Sequence, residues 1–69
     1  MQKWEYMSAW VDDQWDVRTV VGYEQPKGAL SKFVEFLNMV GLEGWELVAL
    51  VPGQVGHRAF FKRPRPGAG

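Results

Sequence analysis

Residues 29–51 read ALSKFVEFLNMVGLEGWELVALV, and the spacing of the apolar side chains changes once along this stretch. From Trp45 to Val51 they alternate, which is typical of a strand. Up to Val40 they recur at three and four residues, which is the period of an amphipathic helix, and the stripe comprises Leu30, Phe33, Val34, Leu37 and Val40 or Gly41. The stretch therefore predicts a helix over 29–40, a turn at its glycines and then a strand. Phe36 and Met39 lie beside the stripe, so they either widen the buried face or stay exposed.

Outside this stretch, three further segments have side chains that alternate with a period of two. Lys3 to Val11 predicts a first strand, and His57 to Lys62 predicts a last strand after a hairpin loop at 52–56. Residues 15–23 predict a strand with Val17, Thr19, Val21 and Tyr23 on one side, or else part of a long loop. We therefore expect one α+β domain over 1–63, with a three- or four-stranded antiparallel sheet and one helix on one face. Its order is β, an optional β, α, β, β, and residues 64–69 form a flexible tail.

Composition limits what this domain can be. The chain has 69 residues, no Cys, eight basic and eight acidic residues, and 46% apolar residues. This is a globular composition with room for one domain, and it contains neither a disulfide nor a thiolate metal site. A neutral chain has no long-range field for nucleic acid, and no apolar run reaches the ~20 residues of a membrane span. We expect a cytoplasmic protein that makes no membrane contact.

Both sides of the predicted strands carry large apolar groups, yet a single helix covers only one face of a sheet. The segment from Trp45 to Val51 is apolar on both sides, which predicts a central strand. The second face needs another cover, and association with a second copy or with another protein would supply it. Aromatic residues are favoured at such interfaces, and the candidates are Trp4, Tyr6, Trp10, Phe60 and Phe61.

Three short motifs resemble a known family. They are WEY at 4–6, LN at 37–38 continuing into GLEGWELV at 41–48, and FFKR at 60–63. The pattern is similar to that of the bacterial domain-of-unknown-function 4177 family, over about residues 3–63; residues 12–28 depart from it. The resemblance implies a sheet-plus-helix fold and no assigned activity or catalytic residue. Within the motif, we expect Gly44 to turn the chain sharply and Trp45 to fill the core between helix and sheet.

Few residues could support catalysis. His57 is the only histidine, so one chain has neither a histidine pair for a metal nor a His-based triad. His57 could act only as a lone general base, with Glu5 or Glu46 on a neighbouring strand. Asp12, Asp13 and Asp16 cluster, but their spacing fits a turn better than a calcium loop. We therefore predict no enzymatic activity, no catalytic residue, no metal site and no cofactor.

One patch carries a single sign of charge. Its basic residues are interleaved with Phe60 and Phe61, and they are Arg58, Lys62, Arg63 and Arg65. Such a pattern can bind phosphates and stack on bases, although cross-strand pairing with acids is the simpler interpretation. The leading hypothesis is a protein-interaction module that forms a dimer or larger homo-oligomer, or acts as an accessory subunit, through the sheet face opposite the helix. The alternative is a binder of a small ligand or of single-stranded nucleic acid that uses this last strand.

Overall fold

A computed structural model describes residues 2–24 and 32–65 of the protein. The elements are β1 (Trp4–Asp12), β2 (Val17–Val21), α1 (Phe33–Gly41), β3 (Glu46–Pro52) and β4 (Gly56–Pro64). All strand pairs are antiparallel, and the order across the sheet is β2-β1-β4-β3. The predicted α+β class is confirmed, with four strands, because part of 15–23 forms β2.

The turn between β1 and β2 depends on Asp12. Its Oδ1 atom accepts hydrogen bonds from the N–H groups of Gln14 and Asp16, each at 2.9 Å. The bond from Asp16 lowers the pKa of the Asp12 carboxyl, and partial desolvation opposes it. Asp12, Asp13 and Asp16 thus lie in a turn, as the spacing predicts, and Asp12 organises it.

An irregularity in the β1–β2 register changes which residues of β2 share a face. Thr19 pairs with Trp10 and Val20 with Ala9, but the register shifts before Val11 pairs with Val17. Because the shift is a β-bulge, Val17 and Val20 both lie on the helix side, and Val21 lies on the other side. The prediction that Val17, Thr19, Val21 and Tyr23 share one side is therefore wrong.

Helix α1 is shorter than predicted and is rotated about its axis. It begins at Phe33, while residues 29–31 of the predicted helix lie outside the described residues. Val34 is 66% exposed, so the predicted stripe is wrong there, whereas Phe36 is fully buried and so widens the buried face, one of its two predicted alternatives. The reason is a tertiary contact: the Phe36 ring packs edge-on against Phe61 with 5.8 Å between centroids.

The turn from α1 into β3 forms as the EGWE motif predicts. Gly44 has φ of +90°, a left-handed conformation that side chains disfavour. The Trp45 N–H then donates to the Val40 carbonyl at 3.1 Å. The Trp45 side chain is 6% exposed and meets Tyr23 edge-on at 6.1 Å, so its predicted core role is confirmed.

The core lies between α1 and the two central strands. Its buried side chains are Met7, Ala9, Val11, Val17, Phe33, Phe36, Val40, Trp45, Ala59 and Phe61. No residue of β3 belongs to it, and all seven residues of β3 are exposed. The prediction that β3 is central is wrong, because β1 pairs with β4 along nine residues and these two strands take the centre.

The two ends of β4 are both well ordered by pairing. At its start, the β3–β4 hairpin closes with the Gly53 N–H donating to the Gly56 carbonyl at 2.7 Å. At its end, Pro64 pairs with Trp4, and the Arg65 N–H donates to the Lys3 carbonyl at 3.0 Å. The predicted tail therefore starts too early, since 64 and 65 lie beside β1; residues 66–69 lie outside the described residues.

Phe60 and Phe61 allow a matched test of which face is the core. Phe61 is 1% exposed and Phe60 is 39% exposed. We expect Phe61→Ala to lower the free energy of unfolding by about 3–5 kcal/mol, because it leaves a cavity beside Phe36. Phe60→Ala should cost less than half as much in urea denaturation. Equal losses for the two variants would contradict this assignment of the faces.

Candidate functional site

The sheet face opposite the helix carries a regular array of side chains on β1 and β4, and we name it the open face. Cross-strand pairs on this face match Tyr6 with Lys62, Ser8 with Phe60, and Trp10 with Arg58, while Trp4 lies opposite Pro64 at one end. The array follows from strand geometry, since alternate residues of paired strands share a face. Aromatic and cationic side chains therefore alternate across the two central strands.

The aromatic residues of the open face are accessible to different extents. Tyr6 is 66% exposed, Phe60 39% and Trp4 38%. Two rings are partly covered by cations: the Lys62 Nζ atom lies 4.2 Å from the Trp4 ring centroid, and the Arg58 guanidinium carbon lies 5.6 Å from that of Trp10. Such contacts hold each cation against the sheet surface.

A shallow groove crosses the open face because Ser8 is small and its neighbours are large. On one side of Ser8 is a hollow of about 260 Å³ lined by Tyr6, Met7, Val21, Gly22 and Phe60. On the other side is a hollow of about 170 Å³ lined by Trp10, Thr19, Val21 and Arg58. Ser8 and Val21 border both, so the two hollows lie side by side.

The structure separates the five predicted interface residues. Trp4, Tyr6, Trp10 and Phe60 lie together on the open face. Phe61 lies on the helix side in the core, so its selection as an interface residue is wrong. The sequence offered two adjacent phenylalanines with opposite parity, and only the position of the helix tells which of them is covered.

The four basic residues of the predicted patch also separate. Arg58 and Lys62 lie on the open face, whereas Arg63 lies on the helix side. Arg63 binds the Glu5 carboxylate, donates to the Glu43 carbonyl at 3.0 Å and stacks 4.4 Å from the Trp45 ring centroid. Arg63 is thus a structural residue, and its selection as an anion contact is wrong. Arg65 is exposed beyond the end of β4.

His57 does not meet the acids that the sequence analysis paired with it. Its ring stacks on Trp15 with 4.5 Å between centroids, and its buried Nδ1 atom has no hydrogen-bond partner among the described residues. Glu5 pairs in register with Arg63 and Glu46 with Lys62, five or more residues along β4 from His57. At ~3.3 Å per residue that is a separation of ~16–20 Å. The two pairs that the sequence analysis considered, His57 with Glu5 and His57 with Glu46, are therefore ruled out within one chain.

Two acidic residues near the β1–β2 turn, Asp12 and Asp16, are engaged by basic side chains. Lys32 Nζ lies 3.0 Å from Asp16, and Arg18 Nε lies 3.8 Å from Asp12. Among residues 2–24 and 32–65, no three His, Cys, Asp or Glu side chains come together in a way that could hold a metal ion.

A second exposed apolar surface is the outer edge of β3, which we name the β3 edge. β3 pairs with β4 on one side and ends the sheet on the other. Val48 is 54% exposed, Val51 48%, Leu47 39% and Leu50 36%. Sequence reasoning missed this surface because an apolar run on both parities also fits a buried strand.

Sequence reasoning also missed a polar contact on the helix side. The Tyr23 hydroxyl donates to the Glu43 carboxylate, joining the end of β2 to the α1–β3 turn. This hydrogen bond, with burial and the charge of Glu43, raises the pKa of Tyr23. The two residues are twenty apart, and neither stands in a pattern that predicts contact.

Comparisons with protein-family models, curated proteins and solved structures find no match to this chain. The resemblance to the domain-of-unknown-function 4177 family therefore stays a prediction. No helix formed by the described residues has both the length and the apolarity needed to cross a bilayer. The open face and the β3 edge are the exposed surfaces on which a function can be proposed.

The Tyr23–Glu43 contact predicts an alkaline dependence of stability. Because the folded pKa of Tyr23 lies above the unfolded value of about 10, the contact stabilises fully below that pH. Its contribution is lost as the pH rises through the folded pKa. Urea unfolding between about pH 9 and pH 11 should show a steeper loss for the wild type than for Tyr23→Phe. Parallel losses in the two proteins would contradict the contact.

Proposed function

We propose that this protein is an interaction module rather than an enzyme, and that it self-associates by pairing the β3 edge with the same edge of a second copy. The observation that carries the proposal is a strand of seven exposed residues at the end of the sheet, five of them consecutive and apolar. The partner is a second copy because the edge is complementary to itself.

The β3 edge has little of the protection that keeps edge strands apart. Natural edges are blunted by lysine, by inward charges, by proline, by short length or by bulges. β2, the opposite edge, has five residues and carries Arg18, so it is short and charged. β3 has no charge after Glu46; its bulge near Val48 and its terminal Pro52 are its only such features. An unprotected apolar edge favours pairing with another strand.

Side chains of β3 are uncovered on both faces of the sheet. Leu47 and Leu50 pair with core residues of β4, yet each remains more than a third exposed. Val51 lies on the open face and is about half exposed. An added strand would cover both sets at once, which a contact on one face alone could not do.

Antiparallel pairing of β3 with itself satisfies two-fold symmetry. A two-fold axis near the middle of β3 places apolar residues opposite apolar residues and keeps the two Glu46 side chains at opposite ends of the pair. Parallel pairing would set the two Glu46 side chains against each other. The product is a continuous eight-stranded sheet with both helices on the same face.

Direct packing of two open faces, which the sequence analysis predicts, brings four cations together. Each copy presents Arg58 and Lys62 on this face, together with two acids, Glu46 beside Lys62 and Asp12 at the end of β1. Desolvating these charges costs several kcal/mol per ion when they lack matched partners. Edge pairing leaves them in water, and for that reason we favour the β3 edge over the open face.

The expected dimer is concentration-dependent rather than permanent. Fully burying a large apolar side chain is worth ~1.5–3 kcal/mol, and these residues are already half covered. Association itself costs ~4–15 kcal/mol, and an edge contact is smaller than the ~1,600 Å² of a standard interface. Formation of main-chain hydrogen bonds along the edge adds to the apolar gain.

Light scattering behind a sizing column, over a range of loading concentrations, tests the proposal. The wild type should approach the mass of two copies as concentration rises, from the 7.9 kDa of one chain. Val48→Lys should stay at the mass of one chain, because a lysine on the edge must be desolvated on pairing. Urea denaturation would check that the variant folds.

Two further lysine substitutions act as matched controls. Val55→Lys adds the same charge at a 67% exposed position outside β3, and Tyr6→Lys adds it on the open face. Both should dimerise like the wild type. A dimer lost only in Tyr6→Lys would move the interface to the open face. A wild type that is monomeric at every concentration would overturn self-association and leave the edge to a strand of another protein.

A further inference from the structure

We infer that the open face binds single-stranded nucleic acid, with bases stacked on its aromatic rings and phosphates held by Arg58 and Lys62. The inference goes beyond the proposed self-association and does not rest on it, because the binding surface lies on β1 and β4 and not on the β3 edge. By sequence, the neutral charge of the chain and the shortness of the basic patch argue against nucleic-acid binding. The fold favours it, because three aromatic residues of β1, Trp4, Tyr6 and Trp10, lie on the same face as the cations and Phe60.

The aromatic rings are spaced like successive stacking positions. Tyr6, Phe60 and Trp10 occupy consecutive rows of the β1–β4 pair, on alternating strands. Diagonal neighbours across two antiparallel strands are ~7–8 Å apart. Bases of an extended single strand can therefore rest on successive rings, and stacking of this kind needs no particular base because every base has a π-face. The two most exposed rings, Tyr6 and Phe60, border the same hollow.

Each of the two cations lies beside an aromatic ring of the open face. Lys62 lies opposite Tyr6 in the register and Arg58 lies opposite Trp10, so a cation stands in the row before and in the row after Phe60. Their stacking on Trp4 and Trp10 holds them against the sheet before any ligand arrives. A preorganised cation loses less conformational entropy on binding a phosphate than a free one.

Two acidic groups lie on the same side, and neither lines the hollows. Among the described strand residues of this parity they are Glu46 on β3 and Asp12 at the end of β1. The Asp12 carboxylate accepts hydrogen bonds from the turn that follows it, at 2.9 Å, and Glu46 lies beyond Lys62 from Tyr6. Among the described residues that line the two hollows, Arg58 is the one charged residue, and none is acidic.

Hydroxyl groups complete the groove. Ser8 lies at the junction of the two hollows, and Thr19 lines the smaller one. They can exchange hydrogen bonds with base edges or sugars, whereas a purely apolar partner would leave them unpaired. An acidic protein segment would satisfy the cations but would leave Tyr6 and Phe60 without flat groups to stack on. Single-stranded nucleic acid is the ligand class that uses the rings, the cations and the hydroxyls together.

Fluorescence anisotropy of a labelled oligothymidylate of about 12 nucleotides tests the inference. The wild type should bind at low salt, and the logarithm of the association constant should fall with the logarithm of salt concentration with a slope of about −1.4 for two phosphate contacts. A duplex of the same length should bind more weakly, because its bases are not available for stacking. No binding by the wild type at the lowest salt would overturn the inference.

Two matched pairs of variants separate stacking and charge. Phe60→Leu keeps an apolar side chain but removes the ring, and it should weaken binding by roughly 5- to 100-fold, whereas Phe60→Tyr should bind like the wild type. Lys62→Gln should reduce the salt slope by about 0.7, while Lys32→Gln, which removes the same charge on the helix side, should not. Unfolding curves would show whether each variant is folded.

The remaining outcomes assign the surface or reject it. Equal effects of Lys62→Gln and Lys32→Gln would show attraction by charge alone and would overturn the site. Binding of polyglutamate in place of the oligonucleotide, unaffected by Phe60→Leu, would assign the face to an acidic protein segment instead. The Val48→Lys protein keeps the groove, so its Phe60-dependent binding is expected whether or not the wild type dimerises. Failure of edge pairing and failure of nucleic-acid binding are thereby distinguished.

Discussion

The length of the helix is the constraint on which the rest of this structure depends. α1 has nine residues and so extends over ~14 Å, whereas β1 and β4, with nine residues each, extend over ~30 Å. One such helix can cover the middle of two strands and little else. The core is accordingly built where α1 meets β1 and β4, with Phe36 against Phe61 at its centre. The surfaces that this core does not include are left partly in water, among them the whole of β3 and the open face.

The helix side compensates for this small core with contacts that join distant parts of the chain. Arg63 links the end of β4 to Glu5 on β1 and to the Glu43 carbonyl, and its guanidinium covers the Trp45 ring. Tyr23 reaches the same turn from the end of β2. At the β1–β2 turn, the Trp15 ring stacks on both His57 and Phe33. The conspicuous chemistry-bearing residues on this side, His57 and Arg63, thus have structural surroundings, and the surfaces available for binding lie elsewhere.

The two available surfaces are compatible with each other. Pairing at the β3 edge extends the sheet sideways and leaves the open face of each copy uncovered. Two open faces would then lie on the same side of one continuous sheet, with both helices on the other. A module of this kind would present two equivalent grooves to one long ligand, and effective concentration would strengthen binding without any new contact. A single small domain with neither catalytic pair nor metal cluster among its described residues can act in this way because it needs only surface and symmetry.

Features that depend on residues close together in the sequence could be predicted, and features that depend on distant residues could not. Local patterns identified the α+β class, the hairpin at 52–56, the turn at Asp12 and the core role of Trp45, because periodicity, glycine conformation and side-chain capping act over a few residues. They also selected Trp4, Tyr6, Trp10 and Phe60 as a group. They could not tell that Phe61 and Arg63 face the helix, since neighbouring residues in a strand differ only in parity. A bulge between Trp10 and Val11 then altered the parity of β2 as well.

By itself, then, the sequence determined the helix and three of the four strands, and that one sheet face would lack a cover; it left β2 open between a strand and a loop. Only the tertiary structure decided which face that is, because the choice depends on where α1 docks, and Phe36 and Phe61 meet across twenty-five residues of chain. The same applies to β3, whose apolar run suits a central strand or an exposed edge equally well. The nine-residue pairing of β1 with β4 places β3 at the edge, and register between distant strands is a property of the whole fold.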